Sequence, residues 1–236
     1  MGRVWVAVIC VLALVAVAAG TVFFVTVGAS MVSNGLANLA QRSGPGVALT
    51  LYRWSVSVNP YDAPHRLALY ELYLRQEEEM AAQALLEAGI EGGYATGPDL
   101  YLALAVHYVN DGRLSDACSL LDSAPSDYLA RRLWVLRPRN AAAPPSGAYA
   151  EGLEFPLSAG EGTPWYRLDG GPWTLYGGPL ALREGRHTLE VVTLDRDSIP
   201  SRVDEYQYTV EKLESAAATF HFVSCPYCGE MWMESD

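Results

Sequence analysis

The residues best suited to chemistry stand near the end of the chain, in Cys225-Pro226-Tyr227-Cys228-Gly229-Glu230. Two thiols at this spacing, with Pro and Gly to bend the chain, can share a metal ion, close a disulfide or exchange electrons. A structural zinc takes four ligands, and the tail offers Cys225, Cys228 and His221. The fourth would come from Glu230, another chain or a partner, because Cys10 and Cys118 sit in an apolar run and a helical pattern. Zinc, disulfide and redox pair all stay open, and zinc is the one cofactor suggested. Other reactive side chains are scattered. His65 and His107 stand singly on helical patterns. Glu77-Glu78-Glu79 reads as the acidic opening of a helix, favoured by the helix dipole. Asp169, Asp195 and Asp197 lack the spacing of a calcium loop and read as turn residues. No catalytic constellation emerges, and the expectation is a protein that is not an enzyme.

These residues hang on a chain of 236 residues, 50% apolar and 18% charged, with a net charge of −11. That length and composition support a packed core and one or two domains. The acidic balance argues against a nucleic-acid partner, which needs a basic face. The charge is unevenly spread: residues 1–30 carry +1, residues 31–140 carry −3 and residues 141–236 carry −9.

Val4 to Val27 contains no charged residue, and its only hydroxyl side chains are Thr21 and Thr26. As a helix these 24 residues would span about 36 Å, enough for a hydrocarbon core of about 30 Å. The run is too long for a cleaved secretory signal, so residues 1–30 read as a single-pass transmembrane anchor. Arg3 precedes the span and the next basic residue is Arg42, which favours a cytoplasmic N-terminus and an extracytoplasmic bulk.

Residues 31–137 carry a repeat. Ala48, Ala82 and Ala117 lie 34 and 35 apart, and Tyr52, Leu86 and Leu121 each follow four residues later. Leu69 and Tyr73 match Leu104 and Tyr108 at a shift of 35. Ser126 would cap a further helix ending at Leu136. The pattern resembles the tetratricopeptide repeat, which implies stacked helical hairpins whose concave face often holds a protein partner. The candidates for that face are Arg53, His65, Arg66, Tyr70, Tyr73 and Tyr108. Tyrosines at helical spacing serve equally as core between helices.

Arg137 to Gly147 breaks the helical pattern, and the Pro-rich residues 138–146 read as an extended linker. From there to residue 212 apolar residues alternate in short runs divided by Gly-rich turns, which reads as a small antiparallel β-sandwich. Trp165 to Gly170, Leu175 to Leu180 and Glu184 to Leu189 together resemble the C-terminal domain of chitobiases and β-hexosaminidases. That resemblance implies an immunoglobulin-like accessory module without catalytic residues. If the module binds cell-wall glycan, Trp165, Trp173 and Tyr176 supply the rings. Alternation puts Trp165 and Arg167 on one face of a strand and Tyr166 and Leu168 on the other. Packing against the helical block would use the same rings.

In the tail, residues 213–236, the Cys-Pro-x-Cys-Gly string resembles a zinc-ribbon knuckle, and Cys-Pro-Tyr-Cys resembles the glutaredoxin motif. The fold expectation is therefore a multidomain chain, α then β: anchor, tetratricopeptide-like solenoid, immunoglobulin-like sandwich and knuckle tail. The expected function is a membrane-anchored bacterial scaffold that binds protein partners at the cell envelope. Glycan binding through the sandwich and thiol or zinc chemistry in the tail are the alternatives.

Overall fold

The computed structural model describes residues 26–95, 97–158, 160–212 and the two strands 220–224 and 231–235. Helix α1 occupies residues 26–41. It is followed by α2 (Pro45–Val58), α3 (Ala63–Arg75), α4 (Glu79–Glu91), α5 (Asp99–Asn110), α6 (Leu114–Asp122) and α7 (Asp127–Leu136). Local chemistry sets several starts. Pro45 enters α2 at its first turn, and Asp62 caps α3 by accepting the His65 amide at 3.4 Å. Ser126 caps α7 by accepting the Leu129 amide at 3.3 Å, as the sequence predicts.

Helices α2 to α6 pack against one another in chain order. The repeat positions form the seams: Ala82 and Ala117 are fully buried, with Ala48, Tyr52, Leu86 and Leu121 beside them. Leu69, Tyr73, Leu104 and Tyr108 are buried at the matching positions one hairpin apart. Small residues let two helices approach closely, and the large residue one turn later fills the gap. The turn between α5 and α6 places Gly112 at φ 75°. The matching turn between α3 and α4 places Glu77 there, at φ 61°. The Glu77 backbone is thus left-handed and precedes the helix, where the sequence suggested the helix's acidic opening.

The strand-rich region holds a five-stranded sheet in the order β1-β7-β6-β3-β4. Its strands are β1 (Gly147–Ala150), β3 (Thr163–Leu168), β4 (Thr174–Leu175), β6 (Gly185–Leu194) and β7 (Asp204–Glu211). A two-stranded sheet of β2 (Glu154–Phe155) and β5 (Leu180–Ala181) faces it. Phe155, Leu157 and Leu182 close on Leu189, Val191, Tyr208 and Val210 between the two layers. The expected sandwich is present, with one correction: β1 pairs with β7 in parallel, so the sheet is mixed rather than antiparallel. Parallel pairing is open to β1 because it enters from the long Pro-rich segment and not from a hairpin turn.

That segment lies on the sheet. Asn140 donates to the Val191 carbonyl at 2.7 Å and accepts from the Thr193 hydroxyl at 2.8 Å. The Ala141 amide donates to the same hydroxyl at 2.9 Å, and Ala141 is fully buried. Residues 138–146, which read as a linker, are therefore partly built into the sandwich. At the other extremes, the predicted anchor, residues 4–27, lies almost wholly outside the described residues. Among the described residues no helix is long and apolar enough to cross a membrane. The tail forms an antiparallel pair, β8 (Phe220–Ser224) with β9 (Met231–Ser235), which the sequence reading did not anticipate.

Candidate partner-binding surface

Four of the six partner-binding candidates of the stack, Arg66, Tyr70, Tyr73 and Tyr108, do not share an open face. Arg66 is buried, with its guanidinium donating to the carbonyls of Leu85 at 3.0 Å and Pro60 at 3.2 Å. Its stem crosses Gly89, where an added Cβ would come within 2.9 Å of Cδ. Burial lowers the Arg66 pKa, and the side chain ties α3 to α4. Tyr73 is buried and its hydroxyl accepts from Arg53 Nε at 2.7 Å. Tyr108 donates to Glu87 at 2.7 Å, and burial together with that carboxylate pushes its pKa up to about 12. Tyr70 is half-buried against His107, 3.3 Å from its Nδ1. The spacing that marked these residues is the spacing of the core.

His65 has an environment the sequence did not reveal. Its Nδ1 lies 3.0 Å from both the Ser33 and Ser55 hydroxyls and 3.1 Å from Asp62. The residue types are those of a nucleophile, base and orienting acid, but the geometry differs. A relay needs the serine and the acid on opposite ring nitrogens, and here all three converge on one. Both serines are fully buried, so the cluster joins α1, α2 and α3.

The predicted glycan rings lie where the two modules meet. Even-numbered residues of β6 point away from the sandwich core: Val192 packs with Leu114 and Cys118 of α6, and Trp165, Trp173 and Leu194 join them. The Ser115 hydroxyl accepts from Trp173 Nε1 at 2.9 Å and from Arg167 at 3.3 Å. Arg167 also pairs with its cross-strand neighbour Glu190 through two bonds of 2.5 and 2.6 Å. Its guanidinium lies 4.9 Å from the Trp173 ring centre. Cys118 is buried and its thiol pKa is pushed up to about 11 by that burial. Tyr176 belongs to the sandwich core, where its hydroxyl accepts from the Leu157 amide at 3.0 Å. Trp165 and Trp173 thus connect α6 to the sheet, and no row of three exposed rings forms.

Next to this closed seam the junction opens into a groove. One concavity of about 630 Å³ lies between Trp134, Arg137, Arg139, Glu161 and Arg202. A second, of about 240 Å³, continues along α7 past Ala130 and Arg131 and shares Asp122, Trp134, Arg137 and Arg202 with the first. Arg137 anchors the floor by donating to Asp122, to the Ser201 carbonyl and to the Pro200 carbonyl. Trp134 is 61% exposed, with Arg202 over its ring at 5.1 Å from the centre. Sequence reading missed this groove. The run Arg131-Arg132-Leu133-Trp134 was its signal, a basic and aromatic stretch in an acidic chain.

The metal candidates are split by what the structure describes. His221 lies in β8, whereas Cys225 and Cys228 lie outside the described residues. Among the described residues no group of three or more His, Cys, Asp or Glu could hold a metal ion.

No family profile matches the chain, and no curated protein matches it. Among solved structures, the fibronectin(III)-like modules of Clostridium thermocellum CbhA are 22% identical, covering 31% of this chain and 96% of that one, with a TM-score of 0.26. A thermophilic TPR protein of Thermus thermophilus is 27% identical, covering 44% of this chain and 59% of that one, with a TM-score of 0.30. The N-terminal part of the bacterial S-layer protein SbsC is 16% identical, covering 89% of this chain and 65% of that one, with a TM-score of 0.20.

Proposed function

We propose that this protein is a membrane-anchored, non-enzymatic scaffold that holds protein partners at the cell envelope. The observation that carries the reading is the junction. Leu114, Ser115 and Cys118 of α6 are packed and hydrogen-bonded to the sheet, so the helical stack and the sandwich present one continuous surface. A body of this kind suits the positioning of other proteins, because partners bound to either module keep a fixed relation. The uncharged run from Val4 to Val27 supplies the anchor in this reading, with the N-terminus in the cytoplasm and both modules outside.

Fractionation and protease access test it together. The protein is expected in the membrane fraction after a carbonate wash, and protease added to intact cells is expected to cut the C-terminal modules. Recovery in the soluble fraction would overturn the anchor. Protection of the modules in intact cells would overturn the outward orientation. A second reading rests on the tail, where β8 and β9 bracket Cys225 and Cys228 in sequence. If that pair binds zinc, the purified chain carries metal and Cys225→Ser loses it. Insulin reduction by the wild-type chain would indicate a redox pair instead.

A further inference from the structure

The chain is acidic overall, but residues 126–140 hold four arginines and one acid. Those arginines, Arg131, Arg132, Arg137 and Arg139, lie on α7 and in the chain that leaves it. The fold brings Arg202 to the same place from the segment before β7. Five arginines therefore meet three carboxylates, Asp122, Glu161 and Asp204, along the groove and its flank. The carboxylates are already engaged. Asp122 pairs with Arg137 and stands 3.8 Å from Arg202, Glu161 is 4.0 Å from Arg139, and Asp204 accepts from Asn140. Among the described residues no carboxylate pairs with Arg131 or Arg132.

Apolar surface accompanies the charge. Trp134 forms part of the wall between the two concavities, and Val135 and Tyr128 on the same helix are 78% and 64% exposed. An exposed tryptophan beside exposed arginines is the residue combination that dominates protein interfaces. Charge and shape narrow the occupant. The excess of exposed arginine over carboxylate calls for an anion, and the concavity between α7 and the sheet suits an inserted side chain better than a flat surface.

We propose that this groove binds an acidic segment of a partner protein, with Asp or Glu side chains on Arg131, Arg139 and Arg202 and an apolar side chain against Trp134. The proposal rests on the scaffold reading and names the partner's chemistry.

The test uses the full chain in detergent micelles and a fluorescent 12-residue peptide of alternating Glu and Leu with one Trp. Its Lys counterpart is the charge control, and vesicles of phosphatidylcholine with phosphatidylserine are the membrane control. The Glu peptide is expected to bind with a Kd below about 1 mM, weakening severalfold as salt rises from about 50 to 300 mM, while the Lys peptide does not bind. Arg131→Glu with Arg139→Glu is expected to weaken binding about tenfold, and Trp134→Ala by a similar factor. All of these positions are exposed, and an unchanged thermal midpoint shows that the fold is kept. No binding of the Glu peptide, or binding that these variants leave unchanged, overturns the proposal. Arginine-dependent binding to the anionic vesicles in place of the peptide also overturns it and assigns the face to a membrane. Envelope partners retained by the charge-reversed variant would show that the scaffold reading survives and that this groove is not its docking site.

Discussion

Two arginine–tryptophan pairs lie near the junction, and their settings differ. Arg167 stacks on Trp173 at 4.9 Å and is held by two bonds to Glu190 and one to Ser115. Arg202 stacks on Trp134 at a nearly equal 5.1 Å, yet its one carboxylate partner among the described residues is Asp122 at 3.8 Å, and both side chains stay open to solvent. The first pair seals two modules together, and the second faces outward. The same two residue types serve cohesion in one place and are free for recognition in the other. What separates them is how fully their polar groups are already satisfied.

That contrast can be broken by substitution. The largest effect is expected at the closed pair: Arg167→Ala leaves Glu190 without its partner inside the seam and should cost about 2 kcal/mol in denaturant unfolding. Arg202→Ala should stay within about 0.5 kcal/mol, as exposed charges usually do. Equal costs would erase the distinction. Ser115→Ala comes next, at about 1–2 kcal/mol, because it removes the shared acceptor of Trp173 and Arg167. Peptide-resolved alkylation of Cys118 should be slow in the wild-type protein and faster in this variant, since the thiol is reached only when the seam opens.

Two smaller effects sharpen the picture of each module alone. Glu77→Gly should stabilise the helical stack by about 0.5–1 kcal/mol, because glycine takes φ 61° without the clash a side chain makes. In the sandwich, His187 is 2.8 Å from Asp169, and that hydrogen bond, against a smaller opposing effect of burial, raises the imidazole pKa above 6.5. A raised folded pKa adds stability that is fully present below about pH 6.5 and is lost as pH rises through the folded value. Stability should therefore decline slightly between about pH 6 and 8, and His187→Gln should remove that decline. A slope retained in the variant would place the effect elsewhere.

Much of the architecture was legible in the sequence. The recurrence of Ala48, Ala82 and Ala117 at intervals of 34 and 35 residues reports the close approach of paired helices, and alternation along Trp165–Leu168 reports two faces of one strand. Local chemistry also located α7 through Ser126. The parallel pairing of β1 was not legible, because pairing direction depends on where the chain enters the sheet. The function of the aromatic residues was not legible either. Tyr73, Tyr108 and Trp173 look alike in sequence to rings that bind partners, and only the position of Arg53, Glu87 or Ser115 beside them shows that their polar ends are occupied. The groove around Trp134 joins residues 122, 134 and 202, a separation that no local pattern spans.

The central claim is that stack and sandwich act as one body through α6. Hydrogen exchange read by mass spectrometry tests it most directly, comparing the full chain with its Leu114→Ala variant. Leu114 is a helical residue that packs against Val192 of β6. The account predicts that exchange rises together in residues 114–122 and 185–194. A rise confined to residues 114–122, with β6 unchanged, would contradict it and leave two modules that merely touch.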